Sequence, residues 1–153
     1  MTPEDKQILL KDLCDRLPYG VIIDSEKYNK AHYRKHYLQR LILVNVLCKE
    51  VICIDVDDYP DPKCRKHKLE YCKPYLRPMS DMTEEEFEDL KRRYVFCESC
   101  RDENDVMDVV NRGKIEFCDA ANVLNWLNEH HLDYNGLITK GLALPAPEGM
   151  YKN

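Results

Sequence analysis

The sequence has no apolar run long enough to span a membrane, no internal repeat and no low-complexity tract. A transmembrane helix needs about 20 consecutive apolar residues, and the longest aliphatic runs here, residues 41–48 and 51–56, are far shorter. The first residues, Met1–Asp5, are acidic and lack the apolar core of a secretory signal. We therefore expect a protein that stays in the cytoplasm.

The sequence also lacks the signatures of common enzyme classes, namely a P-loop, a dinucleotide-binding glycine fingerprint and a nucleophile elbow. Asp55 and Asp57 end an aliphatic run, and carboxylates at a strand end can hold Mg²⁺ for phosphoryl chemistry. The residues that follow, Tyr59–Pro62, form a turn rich in Asp and Pro rather than a loop that cradles phosphate. We therefore expect no enzymatic activity.

The chain is long enough for one domain, residues 1–153, with 44% apolar and 33% charged residues. The net charge of −5 is unevenly distributed: residues 27–78 hold 12 basic and 6 acidic side chains, whereas residues 79–112 hold 5 basic and 11 acidic ones. This asymmetry either steers an anionic partner to the first region or lets two parts of the fold attract each other. The eight cysteines are expected to be mostly free thiols in a reducing compartment.

The order of predicted elements indicates an α+β fold. Thr2 and Pro3 begin a helix over residues 3–17, and a β-rich unit follows over residues 19–78. Within this unit we predict two buried strands, Leu41–Cys48 and Val51–Val56, that turn at Lys49 and Glu50, and a further strand at Lys68–Cys72. Residues 27–40 are compatible with helix or loop. The architecture is then a small antiparallel sheet or a barrel-like meander.

The C-terminal part, residues 83–153, is predicted to be helical with an ordered tail. Thr83 and Glu86 form a capping box at the start of a helix, and the last helix carries Trp126 and Leu127. After it, aliphatic and aromatic side chains continue almost to Tyr151, with glycines supplying bends. A disordered tail would be polar, so we expect this tail to pack on the body of the protein.

A basic, tyrosine-containing stretch over residues 27–49 is the first candidate site. It contains no acidic residue, and its cations and aromatic rings could neutralise phosphates and stack on bases of single-stranded nucleic acid. The alternative is a solvated surface that complements the acidic segment of the same protein. The candidate nucleic-acid-binding residues are Lys30, Tyr33, Arg34, Lys35, Tyr37 and Arg40.

Cysteine and histidine pairs provide a second candidate, a zinc site. Cys97 and Cys100 have the spacing of a metal knuckle, and Cys64 with His67 could complete a tetrahedral set. The alternative is a group of unrelated thiols without cofactor. His130 and His131, with Asp133, are a weaker candidate, because adjacent helical residues point about 100° apart and histidines at a helix C-terminus favour the dipole.

Three segments resemble an uncharacterised family of small proteins from Bacteroidetes and their phages or prophages. They are residues 17–21 (LPYGV), 73–86 (KPYLRPMSDMTEEE) and 126–151 (WLNEHHLDYNGLITKGLALPAPEGMY). The resemblance implies a phage or mobile-element setting in a bacterial host, and no catalytic residue, cofactor or substrate. We therefore hypothesise a non-enzymatic protein that binds another protein, as an accessory factor or host-defence antagonist. A nucleic-acid-binding module and a zinc-stabilised domain are the alternatives.

Overall fold

The computed structural model describes residues 1–25, 38–55, 63–93 and 117–151, with the backbone alone for residues 117–119. Helix α1 spans Pro3–Arg16 and continues into a 3-10 turn, Leu17–Tyr19. Five strands follow: β1 Ile22–Ser25, β2 Gln39–Asn45, β3 Glu50–Asp55, β4 Cys64–Lys68 and β5 Cys72–Leu76. Helices α2, Glu84–Arg93, and α3, Phe117–Glu129, precede a tail whose Leu144–Pro145 forms β6.

The α+β prediction is confirmed, with one refinement of the sheet. The six strands form an open sheet in the order β4-β3-β2-β1-β5-β6 rather than a closed barrel. All pairs are antiparallel except β5 and β6, where the tail adds a parallel strand. No described helix has the length and apolar character needed to cross a membrane.

The starts of α1 and α2 were predicted correctly because their signals are local. The Thr2 hydroxyl accepts a hydrogen bond from the Asp5 N–H, and the Asp5 carboxylate accepts one from the Thr2 N–H. The Thr83 N–H donates to the Glu86 carboxylate at 2.9 Å, and the Glu86 N–H donates to the Thr83 hydroxyl at 3.2 Å. Each pair satisfies backbone donors that the first turn of a helix leaves free.

Three strand predictions need correction. The turn between β2 and β3 lies at residues 46–49, so Lys49 is in the turn as predicted, whereas Glu50 already belongs to β3. The predicted strand Lys68–Cys72 falls largely on a 3-10 turn, Leu69–Tyr71, between β4 and β5. The run at residues 41–48 is only partly buried, because Leu41 is in the core while Ile42, Leu43, Val46 and Leu47 are exposed.

The core lies between one face of the sheet and α1. Leu9 and Leu13 of the helix are buried against the sheet residues Ile23, Leu41 and Cys53. The tail contributes Leu137, Leu142 and Ala143 to the same cluster, which confirms that it packs on the body. A second cluster joins α2 and α3 through Leu90, Val123, Trp126, Leu127 and Leu132.

Candidate binding site

Of the residues predicted to bind nucleic acid, the structure describes Arg40 alone. Arg40 lies in β2 and is exposed. Lys30, Tyr33, Arg34, Lys35 and Tyr37 lie outside the described residues. The expectation of helix or loop for residues 27–40 is wrong at its end, because Gln39 and Arg40 pair with β1 and β3 as part of strand β2, and residues 27–37 lie outside the described residues. The basic stretch as a whole therefore stays a prediction.

The structure does not bring Cys64 and His67 together as a pair. They are an odd number of positions apart on β4, and successive side chains of a strand alternate between its faces. Cys64 is exposed, whereas His67 is half-buried with Nδ1 2.9 Å from the Ser25 hydroxyl. Cys97 and Cys100 lie outside the described residues. Within the described residues, no group of three His, Cys, Asp or Glu side chains could hold a metal ion.

The carboxylate of Asp55 is held by hydrogen bonds within the sheet. Its side chain is buried and accepts hydrogen bonds from Gln39 Nε2 at 2.7 Å and from Arg65 Nε at 2.8 Å. Both carboxylate oxygens are therefore occupied by partners from neighbouring strands. Asp57 lies outside the described residues, so the structure does not place the two carboxylates together.

The two histidines at the end of α3 point to different neighbours. The His130 ring stacks on Trp126, with centroids 3.7 Å apart, and its Nδ1 lies 2.8 Å from the Trp126 carbonyl oxygen. The His131 ring stacks on Tyr151, also at 3.7 Å. Asp133 accepts hydrogen bonds from the N–H groups of Leu137 and Ile138. These residues organise the start of the tail rather than a shared ligand site.

A cleft of about 920 Å³ lies where the turn after α1, the sheet, the end of α3 and the end of the tail meet. The three segments on which the family resemblance rests all contribute to its walls. They supply Leu17–Gly20, then Arg77 and Glu86, and then Glu129–His131 with Met150 and Tyr151. Ile22, Arg40, Leu41 and Ile42 complete the lining from β1 and β2. Segments far apart in sequence thus form one concave surface.

Arg77 and Glu86 form a fixed ion pair in the cleft wall. Two parallel hydrogen bonds join the Arg77 guanidinium to the Glu86 carboxylate, at 2.7 and 2.8 Å. Arg77 also donates to the Asp81 carbonyl at 2.8 Å. The bonds from Arg77 are the main reason why the pKa of Glu86 is lowered to about 2. Glu86 is therefore ionised and neutralised by its partner.

His131 is a buried, uncharged group in the same wall. The residue is only 6% exposed, and burial, with smaller effects from the charges of Arg16, His130 and Arg77, lowers its pKa to about 4. Among the described residues its Nδ1 has no hydrogen-bond partner. Its backbone is in the left-handed region, with φ of 56°. The ring therefore offers a polar atom that the described part of the protein does not use.

Beside the cleft, the outer face of the sheet is the side that faces away from α1. Directly paired residues share a face, so the register places Ile22, Arg40 and Ile54 in one row, and Leu43, Ile52 and Lys66 in the next. Between these rows, Ile42 is an extra residue of a β-bulge, because the pairing shifts between Leu41 and Leu43. The bulge breaks the alternation and leaves both Ile42 and Leu43 exposed.

The exposed apolar residues cluster at the β2–β3 hairpin. Ile42, Leu43, Val46 and Leu47, which we call the hairpin patch, are 42%, 44%, 54% and 95% exposed. They are four of the six large apolar side chains that are exposed in the described part of the chain. The exposed cations Lys49 and Lys68 and the Lys66–Glu50 ion pair lie beside them. Isolated exposed apolar residues are common, whereas a cluster of this kind is typical of an interaction surface.

Comparison of the chain with protein-family models, with curated proteins and with solved structures finds no match. The function must therefore be argued from the geometry of the chain itself.

Sequence reasoning missed both the cleft and the hairpin patch. The cleft is assembled from distant segments, each of which is explained locally as a turn or a cap. The hairpin patch lies in an aliphatic run that is indistinguishable by composition from a buried strand. The bulge at Ile42 has no glycine or other local signal that would have revealed it.

Proposed function

We propose that this protein acts by binding a protein partner, and that the hairpin patch is the centre of its interaction surface. The observation that carries the proposal is the concentration of exposed apolar side chains in residues 42–47. Burying such side chains against a partner removes apolar surface from water, at about 25 cal/mol per Å². The phage setting implied by the family resemblance is compatible with an accessory or host-directed role.

The charges around the patch indicate which partner surface would fit. Arg40, Lys49, Lys66 and Lys68 are basic, and among the described neighbours Glu50 is the acidic one, engaged with Lys66 at 2.7 Å. An apolar partner surface with an acidic rim would be complementary. Opposite charges at a rim speed association and select against wrong partners more than they raise affinity.

The test is a comparison of two matched variants in capture and binding experiments. Val46→Ser/Leu47→Ser removes the most exposed part of the patch, and Ile8→Ser removes an exposed apolar residue on α1 that is 36% exposed. A partner captured from the native or infected host should be retained by the wild type and by Ile8→Ser, and lost by the double variant. Calorimetry with the purified partner should then give a negative heat-capacity change.

Retention of the partner by Val46→Ser/Leu47→Ser, in a protein whose thermal unfolding is unchanged, would contradict the proposal. Because both substituted residues are exposed, we expect their effect on stability to lie within about 0.5 kcal/mol. A loss of binding can then be attributed to the surface rather than to unfolding.

Nucleic acid is the second candidate partner, because Arg40 of the predicted basic set lies on the same outer face as Lys66 and Lys68. Binding of single-stranded oligonucleotides should then weaken steeply with salt and survive Val46→Ser/Leu47→Ser. No retention of oligonucleotides at low salt would remove this candidate.

A further inference from the structure

The cleft holds two charged side chains that are unpaired among the described residues. Arg77 and Glu86 neutralise each other. Arg40 and Glu129 line the same cleft and form no ion pair with any described residue. Arg40 comes from the sheet, whereas Glu129 comes from the last turn of α3. The cleft therefore has no excess of either sign, but it presents a cation and an anion from different walls.

The Arg40 side chain approaches Gly20 in the turn after α1. A Cβ atom at Gly20 would lie 3.3 Å from Cδ of Arg40 and 3.5 Å from its Nε. Gly20 also has φ of 67°, a conformation that glycine adopts without strain. The turn after α1 thus leaves room for the Arg40 side chain to lie across it.

Apolar side chains also line the cleft, and one of them belongs to the hairpin patch. Leu17, Ile22, Ile42 and Met150 line the cleft, and Ile42 also belongs to the patch. In the wall, His131 is 6% exposed and its Nδ1 lacks a described partner. Because this nitrogen is itself buried, it does not extend the surface that the cleft offers to a ligand.

The size of the cleft favours a peptide segment over a single side chain. Its volume of about 920 Å³ is near the upper end of the range for small-molecule sites, roughly 300–1,000 Å³. It is continuous with an exposed sheet face, which an extended chain can follow.

We propose that the cleft binds an extended segment of the partner protein in which an apolar side chain lies between an acidic and a basic residue. The carboxylate pairs with Arg40, the cation pairs with Glu129, and the apolar side chain packs on Ile42, which is 42% exposed. This assignment rests on the proposed function, because it extends the hairpin patch into the cleft and names the chemistry of the segment recognised there.

A selection from displayed short random peptides, with the purified full chain as bait, tests the assignment. The enriched peptides should carry an acidic and a basic residue on either side of an apolar one. Selection on Arg40→Glu should lose the acidic residue, and selection on Glu129→Lys should lose the basic one. In fluorescence anisotropy, Arg40→Glu should weaken the best wild-type peptide about tenfold or more.

Two further variants serve as controls. Arg40→Lys keeps the positive charge and should still select acidic residues. Lys11→Glu makes the same charge reversal on α1, at an exposed residue that does not line the cleft, and should select the same peptides as the wild type. Equal melting temperatures for all variants would show that their folds are intact.

Failure of this inference is distinguishable from failure of the proposed function. Peptides without the charge pattern, peptides unaffected by both charge reversals, or no enrichment on the wild type would overturn the assignment of the cleft. The hairpin patch is judged separately, by whether Val46→Ser/Leu47→Ser releases the protein partner. If peptide selection depends on the two charges but the partner still binds Val46→Ser/Leu47→Ser normally, the assignment of the cleft is supported. The role of the hairpin patch is then contradicted.

Discussion

Among the described residues, Arg16 is the largest charged side chain that the fold buries completely, with 0% exposure. Its Nε donates to the Asp12 carboxylate at 2.8 Å, and one of its terminal nitrogens donates to the Leu132 carbonyl at 2.8 Å. Asn135 also donates to Asp12, at 2.9 Å. The pair therefore joins α1 to the start of the tail, and its charges are compensated inside the protein.

Removal of Asp12 should be strongly destabilising. In Asp12→Asn the guanidinium of Arg16 stays buried without a counter-charge, and we expect a loss on the order of 3–5 kcal/mol in the free energy of unfolding. Glu70→Gln, which breaks the exposed Lys6–Glu70 pair at 3.1 Å, should cost less than about 1 kcal/mol. Urea unfolding measures both. Equal effects of the two substitutions would contradict the role assigned to Asp12.

Even the conservative substitution Arg77→Lys should destabilise the protein. Lysine cannot reproduce the two parallel bonds to Glu86 together with the bond to the Asp81 carbonyl. We expect Arg77→Lys to cost about 2 kcal/mol in urea unfolding. Arg93→Lys, in a surface pair with Asp89 at 2.7 Å, is the matched control and should be nearly neutral. If Arg77→Lys leaves the free energy of unfolding unchanged, a positive charge alone is sufficient for stability at this position.

The tail is attached to the sheet by a tyrosine hydroxyl as well as by strand β6. The Tyr151 hydroxyl accepts a hydrogen bond from the Ile22 N–H at 3.1 Å and donates one to the Tyr75 carbonyl at 2.8 Å. It bridges β1 and β5 just beyond their last paired residues, Ile23 and Pro74. Burial raises the pKa of Tyr151 to about 12, so the hydroxyl remains a donor throughout the neutral range.

Tyr151→Phe should loosen this attachment. The ring can still stack on His131, but the Ile22 N–H and the Tyr75 carbonyl lose their partner, at a cost of about 1–3 kcal/mol. Hydrogen exchange of the Ile22 amide should accelerate, and the urea midpoint should fall. Tyr19→Phe, at a half-buried tyrosine whose hydroxyl forms no hydrogen bond with any described residue, should change neither quantity. Unchanged exchange at Ile22 would contradict the bridge.

The predictions for these elements show which features of secondary structure a local sequence pattern can specify. The starts of α1 and α2 were predictable because Thr2 with Asp5, and Thr83 with Glu86, are reciprocal partners three residues apart. The prediction of a strand at Lys68–Cys72 was wrong because a short 3-10 turn, here Leu69–Tyr71, and the end of a strand have similar composition. The parallel pairing of β6 with β5 joins Leu144 to Tyr75, which no local pattern specifies.

Two groups with strongly lowered pKa values, His131 and Glu86, should reduce the stability of the folded molecule in acid, His131 at higher pH than Glu86. The pKa of His131 is lowered from 6.5 to about 4, so the unfolded chain takes up a proton first and the free energy of unfolding falls as pH decreases from about 6.5 to 4. Burial lowers the pKa of His67 as well, which acts in the same direction. The pKa of Glu86 is lowered from 4.5 to about 2, so its contribution is present above 4.5 and is lost toward pH 2.

His131→Asn should reduce the pH dependence in the higher of these two pH ranges. Asparagine tolerates the left-handed backbone at this position, and it removes a contribution to the pH dependence of about 3 kcal/mol. The variant should be less stable than the wild type at pH 7, because the stack on Tyr151 is lost. Urea unfolding at several pH values between 4.5 and 6.5, above the Glu86 step, measures the slope. His67 remains, so the slope should decrease rather than vanish, and an unchanged slope would contradict the assignment.

Local chemistry was sufficient to predict the starts of α1 and α2, the α+β class and the packing of the tail, because caps and apolar side chains act within a few residues or through composition alone. The cleft, the bulge that exposes Ile42 and the bridge at Tyr151 depend instead on the folded arrangement. They arise where segments such as Leu17–Gly20 and Met150–Tyr151 meet in space. Strand order and register determine these tertiary contacts. The side chains that form them are of the same types as those in ordinary turns and strands, so the sequence does not mark them.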